Sequence, residues 1–183
     1  MMMSHTTQEK ALPLKIRHAI DSDVPFIFNS WLKSFRETGT LCRGVNNVIY
    51  FAGHHKLIQK IVQRSMTYVA YSAEDPMQTY GYIVGEFIQN VFVLHFAYVK
   101  HSFRKFGIAK LLLEQFNIEP GTMRCYTHQT RTAEKLAPRY EMIYHPYVMI
   151  VDYYSAEEQA KMTNKAEHLD MTSERTKNSQ NRG

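Results

Sequence analysis

The chain has 183 residues, enough for one domain with a sizeable core and short for two, and its 44% hydrophobic content with 12 Tyr and 10 Phe describes a packed protein. The formal charge of +5 arises in residues 1–154, because 155–183 carry five basic and five acidic residues; this excess suits a phosphate-rich ligand or an acidic partner. No apolar run approaches the ~20 residues of a membrane helix, and Met1–Lys10 lack the apolar stretch of a secretion signal, so a cytoplasmic protein without membrane association is expected.

Residues 1–12 are polar and read as a disordered tail. Leu14–Ile20 alternate apolar and polar positions, as a first strand does. Asp21, Ser22 and Asp23 then offer helix caps and Pro25 suits a first helical turn. Val24, Ile27, Phe28, Trp31 and Phe35 form the apolar face of a first helix running to about Glu37. A loop with Gly39 and Gly44 follows, and a second helix is expected over 46–64, with Phe51, His55, Ile58, Ile61 and Val62 at helical spacing.

Strands are predicted at 66–73, 79–89 and 91–99, joined by a turn at Glu74–Gln78 and a tight one at Asn90, which makes an antiparallel meander. A third helix spans about 106–116, closed by Pro120 and Gly121. After this crossover, a fifth strand at 122–128 should run parallel to the fourth. Thr130 caps a short helix at 131–136, limited by Pro138. The apolar, aromatic stretch 140–154 is interrupted by Pro146 and reads as two strand segments or one broken strand. Residues 155–183 form a polar tail, partly helical or disordered. Cys42 and Cys125 have no metal-like spacing, so reduced thiols and no metal are expected.

The most informative stretch is His95–Lys110, where an apolar strand runs into an apolar helix through Arg104-Lys105-Phe106-Gly107-Ile108-Ala109. Free backbone N–H groups at such a junction favour negative charge. Gly107 permits close approach to the backbone, Ala109 leaves room, and residues 100–110 carry four cations and no acid. The triphosphate and dinucleotide loop patterns are absent.

This Arg-x-x-Gly-x-Ala spacing, set between an aliphatic strand end at Tyr98-Val99 and an apolar helix, resembles the pyrophosphate loop of the GCN5-related N-acetyltransferase (GNAT) family. The resemblance covers roughly residues 14–150. It implies an α/β (α+β) fold: a mixed, mostly antiparallel central sheet flanked by helices, with strands 4 and 5 parallel and splayed, over a domain spanning 13–154. It also implies acetyl-CoA as cosubstrate and an N-acetyltransferase acting on an amine acceptor. The backbone of Tyr98 and Val99 would hold the pantetheine arm, and Arg104, Lys105, Phe106, Gly107, Ile108, Ala109 and Lys110 the pyrophosphate. In the family the first two helices border the acceptor site, which brings in Tyr50, His54 and His55.

His95 and Glu86 are the candidate bases. His95 is placed four residues before Val99 and on the same face, and the serotonin N-acetyltransferase branch similarly has a His nine residues ahead of its loop Arg. For the acid, the family pattern Asn-x-x-Ala-x-x-Leu-Tyr is matched by Ala133 and Leu136, but Ala137 stands where its Tyr would be; Tyr140, three residues on, is the candidate. The acceptor is a peptide, protein or small amine. Two alternatives stay open: an acyl-CoA-binding or structural protein with weak or no turnover, and a toxin-like enzyme acetylating aminoacyl-tRNA. Nucleic-acid binding is neither supported nor excluded, because no Lys/Arg block with interleaved aromatics occurs. A monomer or homodimer is expected.

Overall fold

The computed structural model describes residues 12–88 and 90–151. The expected tails therefore lie outside the described residues, apart from Leu12. One compact unit ends at His145, and a second begins at Pro146.

The first unit is built on a six-stranded sheet in the order β1-β2-β3-β4-β5-β6. Its strands are β1 Leu14–His18, β2 Met66–Ser72, β3 Thr79–Ile88, β4 Val91–Val99, β5 Arg124–Tyr126 and β6 Met142–Tyr144. β2, β3 and β4 form the expected antiparallel meander, β1 pairs antiparallel with β2, and β5 and β6 add on in parallel, each after a helical crossover. Asn90 takes φ 65° in the turn between β3 and β4, a left-handed conformation that asparagine tolerates better than most side chains.

Helices α1 Val24–Thr38 and α2 Asn47–Arg64 cover one face of the sheet, and α3 Ile108–Glu114 the other. Asp23 precedes α1, ion-paired to Arg17 and accepting the Ile20 N–H at 2.9 Å, so the turn between β1 and α1 is fixed by one carboxylate. The core under α3 consists of Ala70, Tyr80, Ile83, Phe92, Ile108, Leu112 and Phe116. On the opposite face Trp31 of α1 is completely buried and stacks on Phe96, ring centroids 4.8 Å apart.

The inward face of α2 differs from the expected one. Tyr50, Ile58 and Ile61 are buried, whereas Phe51 and His55 are exposed, a rotation of the face by about one residue. Arg36 explains it: its guanidinium donates to Asn47 Oδ1, Cys42 O and Val45 O and lies over the Tyr50 ring, so the helix enters with Tyr50 inward.

The end of the chain is also corrected. Met142–Tyr144 is a strand, as expected of the first segment, but Val148–Val151 is a helical turn, α5, in place of a second strand. The turn closes with Met149 N–H on Pro146 O at 3.1 Å, so Pro146 initiates a turn. Residues 152–154 of that expectation lie outside the described residues.

Candidate functional site

Two adjoining features make up the site, one of backbone and one of side chains. The backbone feature is the parting of β4 from β5. Their parallel pairing covers only Phe92–Leu94 against Arg124–Tyr126 and ends with Thr127 N–H on Leu94 O at 3.1 Å. From His95 to Val99, β4 continues with β3 on one side and no ladder to β5 on the other. Splaying thus follows from a three-residue β5 beside a nine-residue β4.

Backbone direction refines the assignment of Tyr98 and Val99. Lys100 N–H bonds Tyr80 O at 2.9 Å, and antiparallel pairing alternates, so Tyr98 spends its backbone groups on β3 while Ala97 and Val99 point to the open edge. The Val99 carbonyl is already taken by Arg104 Nε at 3.1 Å, which ties the following turn to the strand end. The turn itself requires two left-handed residues, Lys105 at φ 75° and Gly107 at φ 74°. A Cβ at Gly107 would meet no atom within 4 Å, so the glycine answers to its dihedral and faces open space. Lys110 and Leu111 N–H both bond Gly107 O, while the N–H groups of Phe106, Gly107, Ile108 and Ala109 meet no acceptor among the described residues. Phe106 is 58% exposed, and helix α3 starts at Ile108, two residues later than expected.

The side-chain feature lies beneath α1 and α2. Glu86 and His95, two rival candidates in the sequence, are partners here: Glu86 Oε1 is 2.6 Å from His95 Nε2 and 3.0 Å from Arg64 Nε. His95 Nδ1 in turn meets Thr127 Oγ1 at 3.1 Å, and Thr127 Oγ1 meets His128 Nδ1 at 2.9 Å. Burial raises the Glu86 pKa, but His95 and Arg64 together outweigh it and hold the carboxyl below its ordinary value. His128 is pushed far below the ordinary histidine range, first by burial and then by the neighbouring His54 and His95. Burial lowers His54 to about 4.

The expected placement of His95 on the face of Val99 is corrected. Between Val84↔Phe96 and Gly85↔Leu94 the register slips, leaving His95 as an extra residue in a β-bulge. Leu94 and Val99 pack with the α3-side core, whereas Phe96 stacks on Trp31 and His95 meets Glu86 on the α1–α2 side. One inserted residue turns the face over. His95 is also sealed, at 1% exposure with both ring nitrogens bonded.

Tyr140 lies beside the edge strand β6. It ends a 3-10 turn, Ala137–Tyr140, just before β6, and its carbonyl accepts from Arg124 at 3.4 Å. This is the end of the sheet where β5 and β6 begin, level with Phe92.

Of the helix residues, His54 belongs to a ring cluster with Phe35, Tyr50 and His128 at centroid distances of 4.9, 5.2 and 5.1 Å. His55 is exposed beside Phe28. Thr127 and His128 were not singled out in the sequence; the available signal was two adjacent polar residues closing the expected strand 122–128. The loop after α1 is tied to the same spot, Thr40 N–H bonding Gln129 O at 3.2 Å and Gly39 bridging Thr130.

No protein-family model matches the sequence, and neither does any curated protein. Solved structures do resemble it, and GNAT acetyltransferases are among them. The GNAT family N-acetyltransferase YhbS of Escherichia coli, solved in complex with CoA, is 21% identical over 58% of this chain and 55% of its own, with a TM-score of 0.40. YjaB of Escherichia coli, in its apo form, is 14% identical over 70% and 79%, TM-score 0.47. A provisionally assigned acetyltransferase of Deinococcus radiodurans R1 is 12% identical over 74% and 84%, TM-score 0.45. What is alike is the mixed sheet with helices and parallel β4 and β5; identities this low carry no site residue across.

Proposed function

We propose that residues 13–154 form an N-acetyltransferase domain that moves an acetyl group from acetyl-CoA to a primary amine of a peptide, protein or small molecule by direct attack. The observation that carries this reading is the parting of β4 from β5 just ahead of a cationic turn with free amides. An extended arm can lie along the open edge, and a diphosphate against the turn, without displacing any protein hydrogen bond.

The chain's own groups fit such a molecule. Val99 N–H points outward at the edge, where it can pair with an amide of an extended arm as another strand would. Arg104 uses Nε on Val99 O, which leaves its terminal nitrogens for an anion. Lys105 and Lys110 add charge, and the open space at Gly107 admits a phosphate to the amides of Phe106–Ala109. Acetyl-CoA would supply an acyl group activated as a thioester. The protein's part is to hold the acceptor beside it and remove a proton from the ammonium.

A second reading, acyl-CoA binding without turnover, is favoured by one observation: His95 is sealed from any acceptor. Calorimetry with acetyl-CoA, followed by thiol release across an amine panel, separates the two. Binding with release in any acceptor supports the transferase, binding without release supports the second reading, and no binding overturns both.

A further inference from the structure

The hydrogen-bonded row Arg64–Glu86–His95–Thr127–His128 has a direction that its chemistry dictates. Glu86, ionised beside Arg64, can only accept, so His95 Nε2 carries a hydrogen. A neutral His95 then presents a lone pair at Nδ1, which takes the single hydroxyl hydrogen of Thr127. Thr127 Oγ1 is left to accept, so His128 Nδ1 donates, and the lone pair of the row emerges at His128 Nε2. That nitrogen is buried and has no hydrogen-bond partner among the described residues. Trp31, Phe35, His54 and Phe96 surround it, and His54 is the one residue of the four that is half-buried and not buried.

We propose that His128 Nε2 takes the proton from the acceptor amine, and that Thr127 passes the charge on to His95 beside Glu86. This rests on the acetyltransferase reading and names its base. As His54 swings aside, the ammonium N–H bond breaks, its electron pair stays on the amine, and a new N–H bond forms at His128 Nε2. The Nδ1 hydrogen of His128 shifts to Thr127, and the Thr127 hydroxyl hydrogen to His95 Nδ1. One proton enters, and the cation ends on His95 at 2.6 Å from the Glu86 carboxylate, not among the rings around His128. The sealing of His95 is thereby explained: it stores the charge and has no need to touch substrate. His128 also stands two residues beyond the last β4–β5 pair, where the strands separate.

The test uses the full chain. Imidazole nitrogen NMR should show His128 with its hydrogen on Nδ1 and a bare Nε2; Thr127→Val should scramble that tautomer and Thr127→Ser restore it. With acetyl-CoA and benzylamine or a lysine tripeptide, His128→Gln and Thr127→Val should each lower kcat, the former by about 100-fold or more, with acetyl-CoA affinity unchanged by calorimetry. A hydrogen on His128 Nε2 in the wild type, the state that a charged His95 would impose, overturns the proposal. So does wild-type turnover in either variant, or acetyl-CoA binding without turnover of either amine. Absence of acetyl-CoA binding in the wild type instead removes the transferase reading itself.

Discussion

The two halves of the site are built on opposite principles. The edge of β4 and the Arg104–Lys110 turn use backbone amides and exposed cations, stay open to solvent, and need left-handed backbone at Lys105 and Gly107. The row from Glu86 to His128 uses side chains packed between sheet and helices, with His95, Thr127 and His128 at 1%, 0% and 3% exposure. The open half tolerates substitution of side chains but not of shape or charge. The closed half tolerates neither a lost hydrogen bond nor a lost ring, because nothing but protein can replace it.

The largest effect should come from the closed half. Trp31→Ala removes a fully buried ring stacked on Phe96 and 5.1 Å from His128, and should destabilise the fold by about 3–5 kcal/mol in chemical denaturation. If the loss is under 1 kcal/mol, the packing of α1 on the sheet is not what holds the row in place. Next, Gly107→Glu forces a side chain into the left-handed region, at about 1–2 kcal/mol, and sets a carboxylate where an anion is expected. Acetyl-CoA affinity by calorimetry should fall at least ~100-fold. An unchanged affinity would move the ligand away from the turn.

Acid should separate the halves further. His54 titrates near 4 in the folded protein against an ordinary 6.5, so the unfolded chain binds more protons between these values. Stability should therefore be flat above pH ~6.5 and fall toward pH 4, by on the order of 2–3 kcal/mol for this one group. His128, whose pKa is lowered further, should extend the fall. His54→Gln should shrink the decline in urea midpoints between pH 7 and 4.5. An identical decline would place the acid sensitivity elsewhere.

The open half was legible in the sequence because its information is local. Gly107, the cations around it and the strand-to-helix change lie within eleven residues, and short-range rules cover them all. The meander, the parallel fifth strand and the 131–136 helix were legible for the same reason. His95 stood out in the sequence, but its partners lie 9 and 32 residues away, and no periodicity links them. The bulge that turns His95 away from Val99 leaves no mark in composition, since alternation before and after it reads as one continuous strand. Where Tyr140 lies was not legible, because proximity in sequence to the helix after β5 says nothing about which end of the sheet a residue occupies.

The smallest effects sharpen the electrostatics of the open half. Lys110 Nζ is 3.8 Å from Glu114 Oε1 in an exposed i,i+4 pair, so its stabilising contribution is about 0.5 kcal/mol or less. Removing either partner should leave the thermal midpoint within about 2 °C. Ligand affinity responds differently, because Lys110 is one of the four cations around the turn and Glu114 partly cancels it. Lys110→Ala should weaken acetyl-CoA binding by about 2–5-fold and flatten its dependence on salt, while Glu114→Gln should strengthen binding slightly at low ionic strength. Shifts of the same sign in both variants would mean that the pair acts through the shape of α3. Opposite signs, with both vanishing above ~0.5 M salt, would mean that charge alone distinguishes this half of the site, as the open, backbone-built turn requires.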